Sequence, residues 1–250
     1  MTAEGITPRV ALVTGAGRGI GRAVAEGLLA DGWTVVAAGR TLAPLQEVVA
    51  DGTGLAIAAD VGDEASVAQL FAEIEERFGR LDLLFNNAGT FGRAAPVTEL
   101  TLDDWDACIR VNLTGAWLCA RAAFALMQRQ RPGGGRIINN GSISAQVPRP
   151  HSTPYAATKH AITGLTKALS LEGRAHDIAV CQVDIGNAAT DMTTGFAAGV
   201  LQADGRVAAE PTMSVDNVVA TIRYMAGLPL EANAAFVTVM ATHMPLLGRG

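Results

Sequence analysis

At 250 residues, with 49% hydrophobic content and 28 glycines, the chain is long enough to bury a large core without disulfide or metal staples. A formal net charge of -5 leaves no electrostatic footprint for nucleic acid or an anionic membrane surface, and no apolar run approaches the length of a bilayer span. Cys108, Cys119 and Cys181 lack metal spacing and a paired framework, so no metal is expected, and they read as core or surface thiols of a reduced, cytoplasmic protein. The opening MTAEGITPRV has no basic stretch leading into an apolar one, so no signal peptide is expected.

In chain order, strand-length apolar runs alternate with longer amphipathic segments. RVALVT from Arg9 reads as a buried strand, followed by a glycine-rich turn and a helix over Ile20 to Ala30. WTVVAA is strand, LAPLQEVVA helix, GLAIAA strand, DEASVAQLFAEIEERFG helix and RLDLLF strand. A long helical region spans Leu102 to Arg131 and stops at Pro132 and Gly133-Gly134-Gly135. RIINN is then strand, TPYAATKHAITGLTKALSLEG helix, DIAVCQVD strand, VDNVVATIRYMAGL helix and AFVTVM a last strand. Strands without polar alternation are covered on both faces, as in a parallel sheet with helices on either side. The pattern predicts an α/β fold over 1–250, a single-domain doubly wound parallel sheet of Rossmann type with about seven strands. The stretch from Asn187 to Met213, rich in Ala, Gly, Thr and Met, reads as a lid or substrate-binding loop within that domain.

Thr14-Gly15-Ala16-Gly17-Arg18-Gly19-Ile20-Gly21 lies between the first strand and the first helix. Glycines at this turn let the backbone approach a pyrophosphate, and the helix beyond offers free N–H groups and a positive dipole end. The spacing is one residue off the common dinucleotide fingerprint. An NAD(H) protein carries Asp or Glu at the tip of the second strand to hold the ribose hydroxyl. This tip reads Ala38-Gly39-Arg40-Thr41, where Arg40, helped by Arg18 and the Thr41 hydroxyl, suits the extra phosphate of NADP(H) instead.

Tyr155 and Lys159 lie four residues apart in a helical segment and so share a face. An ammonium beside a phenol favours the phenolate, giving a group able to donate or take a proton at a carbonyl or alcohol oxygen. Alone, Tyr-x-x-x-Lys on a helix is common. Ser142, following RIINN, and Asn86-Asn87-Ala88-Gly89, closing the fourth strand, fall at the carboxyl edge where such sheets bind ligands. Asn112 reads equally as a satisfied polar core residue.

Together these elements resemble the short-chain dehydrogenase/reductase family over nearly the whole chain. The matching motifs are Thr14-Gly15-x-x-x-Gly19-x-Gly21, Asp60-Val61, Asn86-Asn87-Ala88-Gly89, Asn112, Ser142 and Tyr155-x-x-x-Lys159. The resemblance implies a hydride-transferring oxidoreductase acting on a small carbonyl or secondary alcohol, with Tyr155 as acid/base and Ser142 polarising the substrate oxygen. Lys159 would lower the Tyr155 pKa and hold the nicotinamide ribose, and Asn112 would hold a water linking Lys159 to solvent. Cofactor contacts would come from Gly15, Arg18, Gly19, Ile20, Gly21, Arg40, Thr41, Asp60, Val61, Asn87, Ala88, Gly89, Tyr155, Lys159, Gly186 and Thr190. A non-catalytic, redox-sensing dinucleotide-binding protein on the same fold is the alternative.

Two departures stand out. Ile185-Gly186-Asn187-Ala188-Ala189-Thr190 lacks the Pro usual before this Gly, which predicts a less rigid loop. Asn140-Gly141 precedes Ser142, and Asn140 needs a hydrogen-bond partner if buried. Ile143, Ser144, Ala145, Phe91, His151 and, from the loop, Met192, Phe196 and Met213 are expected around the substrate. A homodimer or homotetramer is expected through Leu102 to Arg131 and Thr153 to Gly173, and the apolar tail His243 to Gly250 is expected to pack on a neighbouring subunit.

Overall fold

The computed structural model describes residues 9–50, 52–190 and 199–246. Met192, Phe196, the first eight residues and 247–250 lie outside them, with the expectations attached to those positions.

Strands β1 (Val10–Thr14), β2 (Thr34–Gly39), β3 (Leu55–Ala58), β4 (Leu83–Asn86), β5 (Gly135–Asn140), β6 (Ile178–Ile185) and β9 (Phe236–Val239) form one parallel sheet in the order 3-2-1-4-5-6-9. The chain winds outward from β1 to β3, then returns across it so that β4 lies on the other side of β1. Such a reversal leaves a crevice at the carboxyl ends of the two central strands. Helices α1 (Gly19–Ala30), α2 (Leu42–Val49) and α7 (Asp216–Gly227) cover one face. Helices α3 (Glu64–Phe78), α4 (Leu102–Ile109), α5 (Ala116–Arg129) and α6 (Thr153–Gly173) lie on the other side.

Successive strand residues point to opposite faces, and here both faces are apolar. Ala11 and Val13 meet Val24 and Leu28 of α1 and Ile222 of α7, while Val10 and Leu12 meet Leu70 and Ile74 of α3 and Leu126 of α5. Side chains start the helices where the loops end. Asp63 caps α3 by accepting from Ala65 N–H (3.0 Å), and Thr101 and Asp104 form a reciprocal capping box on α4.

The predicted long helix over Leu102 to Arg131 is interrupted. Arg110–Gly115 is a π-helical stretch between α4 and α5, and Gly115 at its end packs directly on Val61 just beyond β3. A Cβ there would come within 2.8 Å of Val61 Cγ2. The extra residue per turn redirects Asn112, and such bulges recur where a helix must aim one side chain. The Asn187 to Met213 stretch is also less irregular than expected. Among its described residues, β7 (Val200–Leu201) and β8 (Val207–Ala208) form an antiparallel pair, and Ala188 bridges Met213.

At the opposite, amino edge of the sheet, Arg136 of β5 is 2% exposed. Its guanidinium donates to the carbonyls of Leu228 (3.1 Å), Pro229 (3.1 Å) and Ala232 (2.9 Å) and to Asn233 Oδ1 (3.1 Å), and Asn233 donates onward to the Val180 carbonyl (2.8 Å). One side chain thereby fastens the connection between α7 and β9. Met244 is 5% exposed and packs with Ile143 and Ala241 of its own chain.

Candidate active site

Every predicted site residue among the described ones lies at the carboxyl edge of the sheet or beside it. Gly15 (φ +67°) and Gly19 (φ +54°) take left-handed backbone that only glycine adopts at little cost. Gly21 is required for space, since a Cβ there would lie 2.2 Å from the Gly15 carbonyl oxygen. Arg18 is exposed and extended, and no side chain caps α1. The first-turn N–H groups thus face the crevice, an arrangement that suits an anion. Thr190 borders the same turn, with its Cβ 3.7 Å from where a Cβ on Gly19 would sit.

Thr14 Oγ1 accepts from the backbone N–H groups of Asn87 (2.9 Å) and Ala88 (3.0 Å), joining the tips of β1 and β4. Asn87 Nδ2 returns a bond to the Thr14 carbonyl (2.9 Å), and Asn87 Oδ1 accepts from Asn140 Nδ2 (2.9 Å). That answers the question left by Asn140 in the sequence: its partner lies 53 residues away. The Asn140 carbonyl in turn accepts from Lys159 Nζ (2.7 Å). A continuous chain of hydrogen bonds therefore runs from the glycine turn to the lysine.

Tyr155 sits in the first turn of α6, and Lys159, 6% exposed, one turn on. The Lys159 nitrogen is 5.5 Å from the Tyr155 ring centroid, and the Phe91 ring stacks at a tilt with its centroid 4.9 Å from that ring. The Ser142 hydroxyl faces the Tyr155 phenol, and Ser142 Oγ accepts from Ser144 N–H (3.1 Å). The three side chains of the proposed chemistry thus converge. Burial dominates their electrostatics. Burial pushes the Tyr155 phenol above its ordinary value, with the Ser142 hydroxyl and the Arg149 guanidinium opposing. Tyr155 keeps an accessible rim, but its ring is walled by protein. Burial pulls Lys159 down to about 8, with Asp184 opposing. The Lys159 charge is not among the causes that move the Tyr155 phenol, and with a value of about 8 Lys159 is an ammonium at neutral pH.

Asn112 Oδ1 accepts from Thr90 N–H (2.8 Å), and Nδ2 donates to the Thr90 carbonyl (2.8 Å) and Thr158 Oγ1 (3.2 Å). Its amide pins the loop after β4 against the π-helical stretch and α6. At the tips of β2 and β3, Arg40 and Thr41 are exposed, and Val61 is buried. Asp60 accepts from Gly62 N–H (2.9 Å) and pairs with Arg110 (3.0 Å), and the Arg40 charge also helps hold its carboxyl below the usual range against burial. Gly186 N–H donates to the Val239 carbonyl (2.8 Å), and Ile185 pairs with Val239 in the sheet, so the loop lacking proline is tied down at its root. Ile143 and Ser144 are buried beside Ser142, while His151 is exposed at φ +61°.

Sequence reasoning missed a second layer. Asp184 accepts from Ser142 N–H (3.0 Å), and Arg149 donates to Asn187 Oδ1 (2.8 Å) and pairs with Glu210. Asp184 was visible as a charge inside the apolar run CQVDI; Arg149 and Glu210 carried no local signal.

The cradle a Cβ would fill, the uncapped helix start and the basic tip of β2 fit a dinucleotide. The model for the short chain dehydrogenase family matches residues 9–200. The chain is 42% identical over 171 residues to a 3beta-hydroxysteroid dehydrogenase of Mediterraneibacter gnavus, covering 66% of this chain and 60% of that protein. It is 38% identical over 240 residues to a 3-oxoacyl-(acyl-carrier-protein) reductase of Synechocystis, covering 93% of this chain and 94% of that one. Among solved structures, a 3-ketoacyl-(acyl-carrier-protein) reductase from Brucella melitensis complexed with NADH superposes with a TM-score of 0.83 at 26% identity, over 94% of this chain and 98% of that chain.

Proposed function

The chain belongs to the short-chain dehydrogenase/reductase family of NAD(P)(H)-linked oxidoreductases, and from that footing we propose that it interconverts a small carbonyl compound and its secondary alcohol with NADP(H), Tyr155 acting as acid/base. The observation that carries the proposal is the meeting of Tyr155, Ser142 and a buried Lys159 at one sheet edge, with Lys159 wired by hydrogen bonds through Asn140 and Asn87 to the glycine turn.

The cofactor, when bound, supplies or takes the hydride. The glycine turn and the α1 N-terminus receive its pyrophosphate; Ile20, Val61, Ala88, Gly89, Gly186 and Thr190 flank it. Ser142 donates to the substrate oxygen and so aligns it with the Tyr155 hydroxyl. In reduction Tyr155 gives its proton to that oxygen; in oxidation it takes one back. Lys159 offsets the charge left on the phenol oxygen, and Asn112 holds a water between Lys159 and solvent.

Arg40 supports NADP(H). With Arg110 and Asp60 it forms a corner of net positive charge, and the Thr41 hydroxyl adds a donor for a 2′-phosphate. The substrate wall is apolar around Phe91, Ile143 and Met213, and the Arg149 charge there is matched by Glu210, which favours a neutral compound. The outer face of α5 and α6 exposes Trp117 (42%) beside Phe124, Leu165 and Leu169, which supports a homodimer or homotetramer; a monomeric mass by light scattering would overturn that. A cytoplasmic setting suits the three unpaired, buried thiols.

The test is a panel of ketones and alcohols read by NADPH absorbance, with NADH in parallel. Tyr155→Phe should abolish turnover and leave NADPH binding intact. Turnover that survives the substitution, or a wild type that binds nucleotide and transforms nothing, would overturn the proposal in favour of a binding module. A tenfold preference for NADH would mean that Arg40 does not read the phosphate.

A further inference from the structure

Asp184 sits near the end of β6 between Val183 and Ile185 and is 5% exposed. A buried carboxylate is costly unless donors surround it. Oδ1 accepts from Ser142 N–H (3.0 Å) and Gln182 Nε2 (2.7 Å), and Oδ2 from Gln146 Nε2 (3.3 Å). The neighbouring strand is shaped to it. A Cβ on Gly141 would lie 2.1 Å from Asp184 Oδ1, so position 141 stays bare while the carboxylate points there.

All three donors are neutral. The cation whose charge this carboxylate meets is Lys159, itself buried and bonded to the carbonyl of Asn140, the residue next to Gly141. Burial weakens the lysine's hold on its proton, and the Asp184 charge works against that. The other groups facing Lys159 are the Cys108 sulfur from α4, Tyr155 one turn back on α6 and the Asn140 carbonyl from β5. Tyr155 is faced by Ser142, Phe91 and Arg149.

We propose that Asp184 is a positioning residue of the catalytic centre, which fixes the Ser142 turn through its amide and supplies the counter-charge that keeps Lys159 an ammonium. Its consequence for rate rests on the oxidoreductase reading above; its existence does not. In reduction, the phenol oxygen becomes negative as Tyr155 releases its proton. An ammonium one turn away stabilises that charge only while it stays protonated.

The sequence holds two lysines, Lys159 and Lys167, and Lys167 is exposed. Carbon-13 labelling of lysine therefore gives two side-chain signals, which Lys167→Arg assigns. In the wild type the Lys159 signal should titrate near pH 8. Asp184→Asn keeps an acceptor for the Ser142 amide and removes the charge. The Lys159 midpoint should then fall by about one pH unit, and the alkaline limb of NADPH-dependent reduction should move down with it. An unmoved midpoint in a variant with native circular dichroism overturns the proposal. So does a rate lowered equally at every pH, which is the signature of packing alone. Should Asp184→Asn not fold, Asp184→Ser reports the same midpoint with a smaller side chain. A wild type that reduces no carbonyl compound would sink the functional reading, while the lysine titration would still decide the pairing.

Discussion

The bond between Asn140 and Asn87 offers a quantitative handle on how the two halves of the site are joined. Asn140→Ala removes the donor to Asn87 Oδ1 (2.9 Å) but leaves the backbone carbonyl that receives Lys159 (2.7 Å). A part-buried hydrogen bond of this kind contributes about 1 kcal/mol. Asn87→Ala removes that bond and also the one to the Thr14 carbonyl (2.9 Å), so its cost should be about 2 kcal/mol. The double variant loses the shared bond once, and should therefore be less destabilised than the two singles combined by about 1 kcal/mol. For a chain of this length each kcal/mol shifts the melting temperature by about 2 °C. Urea and thermal unfolding of the four proteins measures the cycle, and NADPH titration should show weaker binding in both singles. Additivity within about 0.3 kcal/mol would show that the two amides are neighbours without being partners.

Two further outcomes follow from buried ionisable groups. Burial works against the Glu210 charge, but hydrogen bonds from Asn187 and Gln202 and the Arg149 guanidinium hold its carboxyl down to about 2. A folded-state value below the unfolded one adds stability above about pH 4.5 that is lost as pH falls toward 2. Glu210→Gln should flatten the acid limb of the unfolding curve and cost about 3 kcal/mol at neutral pH; an unchanged acid midpoint refutes this. Burial pushes the Cys181 thiol up to about 11 from 9.0. The unfolded chain thus releases a proton that the fold keeps, and stability should fall between those pH values by roughly 3 kcal/mol. Cys181→Ala should remove that slope in chemical denaturation; a slope that persists assigns alkaline unfolding elsewhere.

What the sequence disclosed was local or periodic. Strands such as RVALVT are apolar at every position because helices cover both faces, and the glycine turn announces itself because its backbone tolerates no substitute. The spacing from Tyr155 to Lys159 fixes a shared helical face without any tertiary knowledge. What stayed hidden depends on register. The π-helical stretch at Arg110–Gly115 keeps a helix-like residue pattern, and the approach of Gly115 to Val61 is a tertiary contact that no local pattern displays. The partners of Asn140 and Asp184 come from strands paired across long sequence distances. The burial of Tyr155 and Lys159 was hidden as well, since the sequence shows that they share a helical face and not what surrounds them.

The Arg136 clasp lies at the end of the sheet remote from the chemistry. The last helix and strand are thereby moored by a side chain that no substrate or nucleotide approaches, and the loops over the crevice carry little of the burden of keeping the C-terminal segment docked. Those loops are consequently free to be reshaped, by drift or by design, for a different ligand without loosening the scaffold that presents Ser142 and Tyr155.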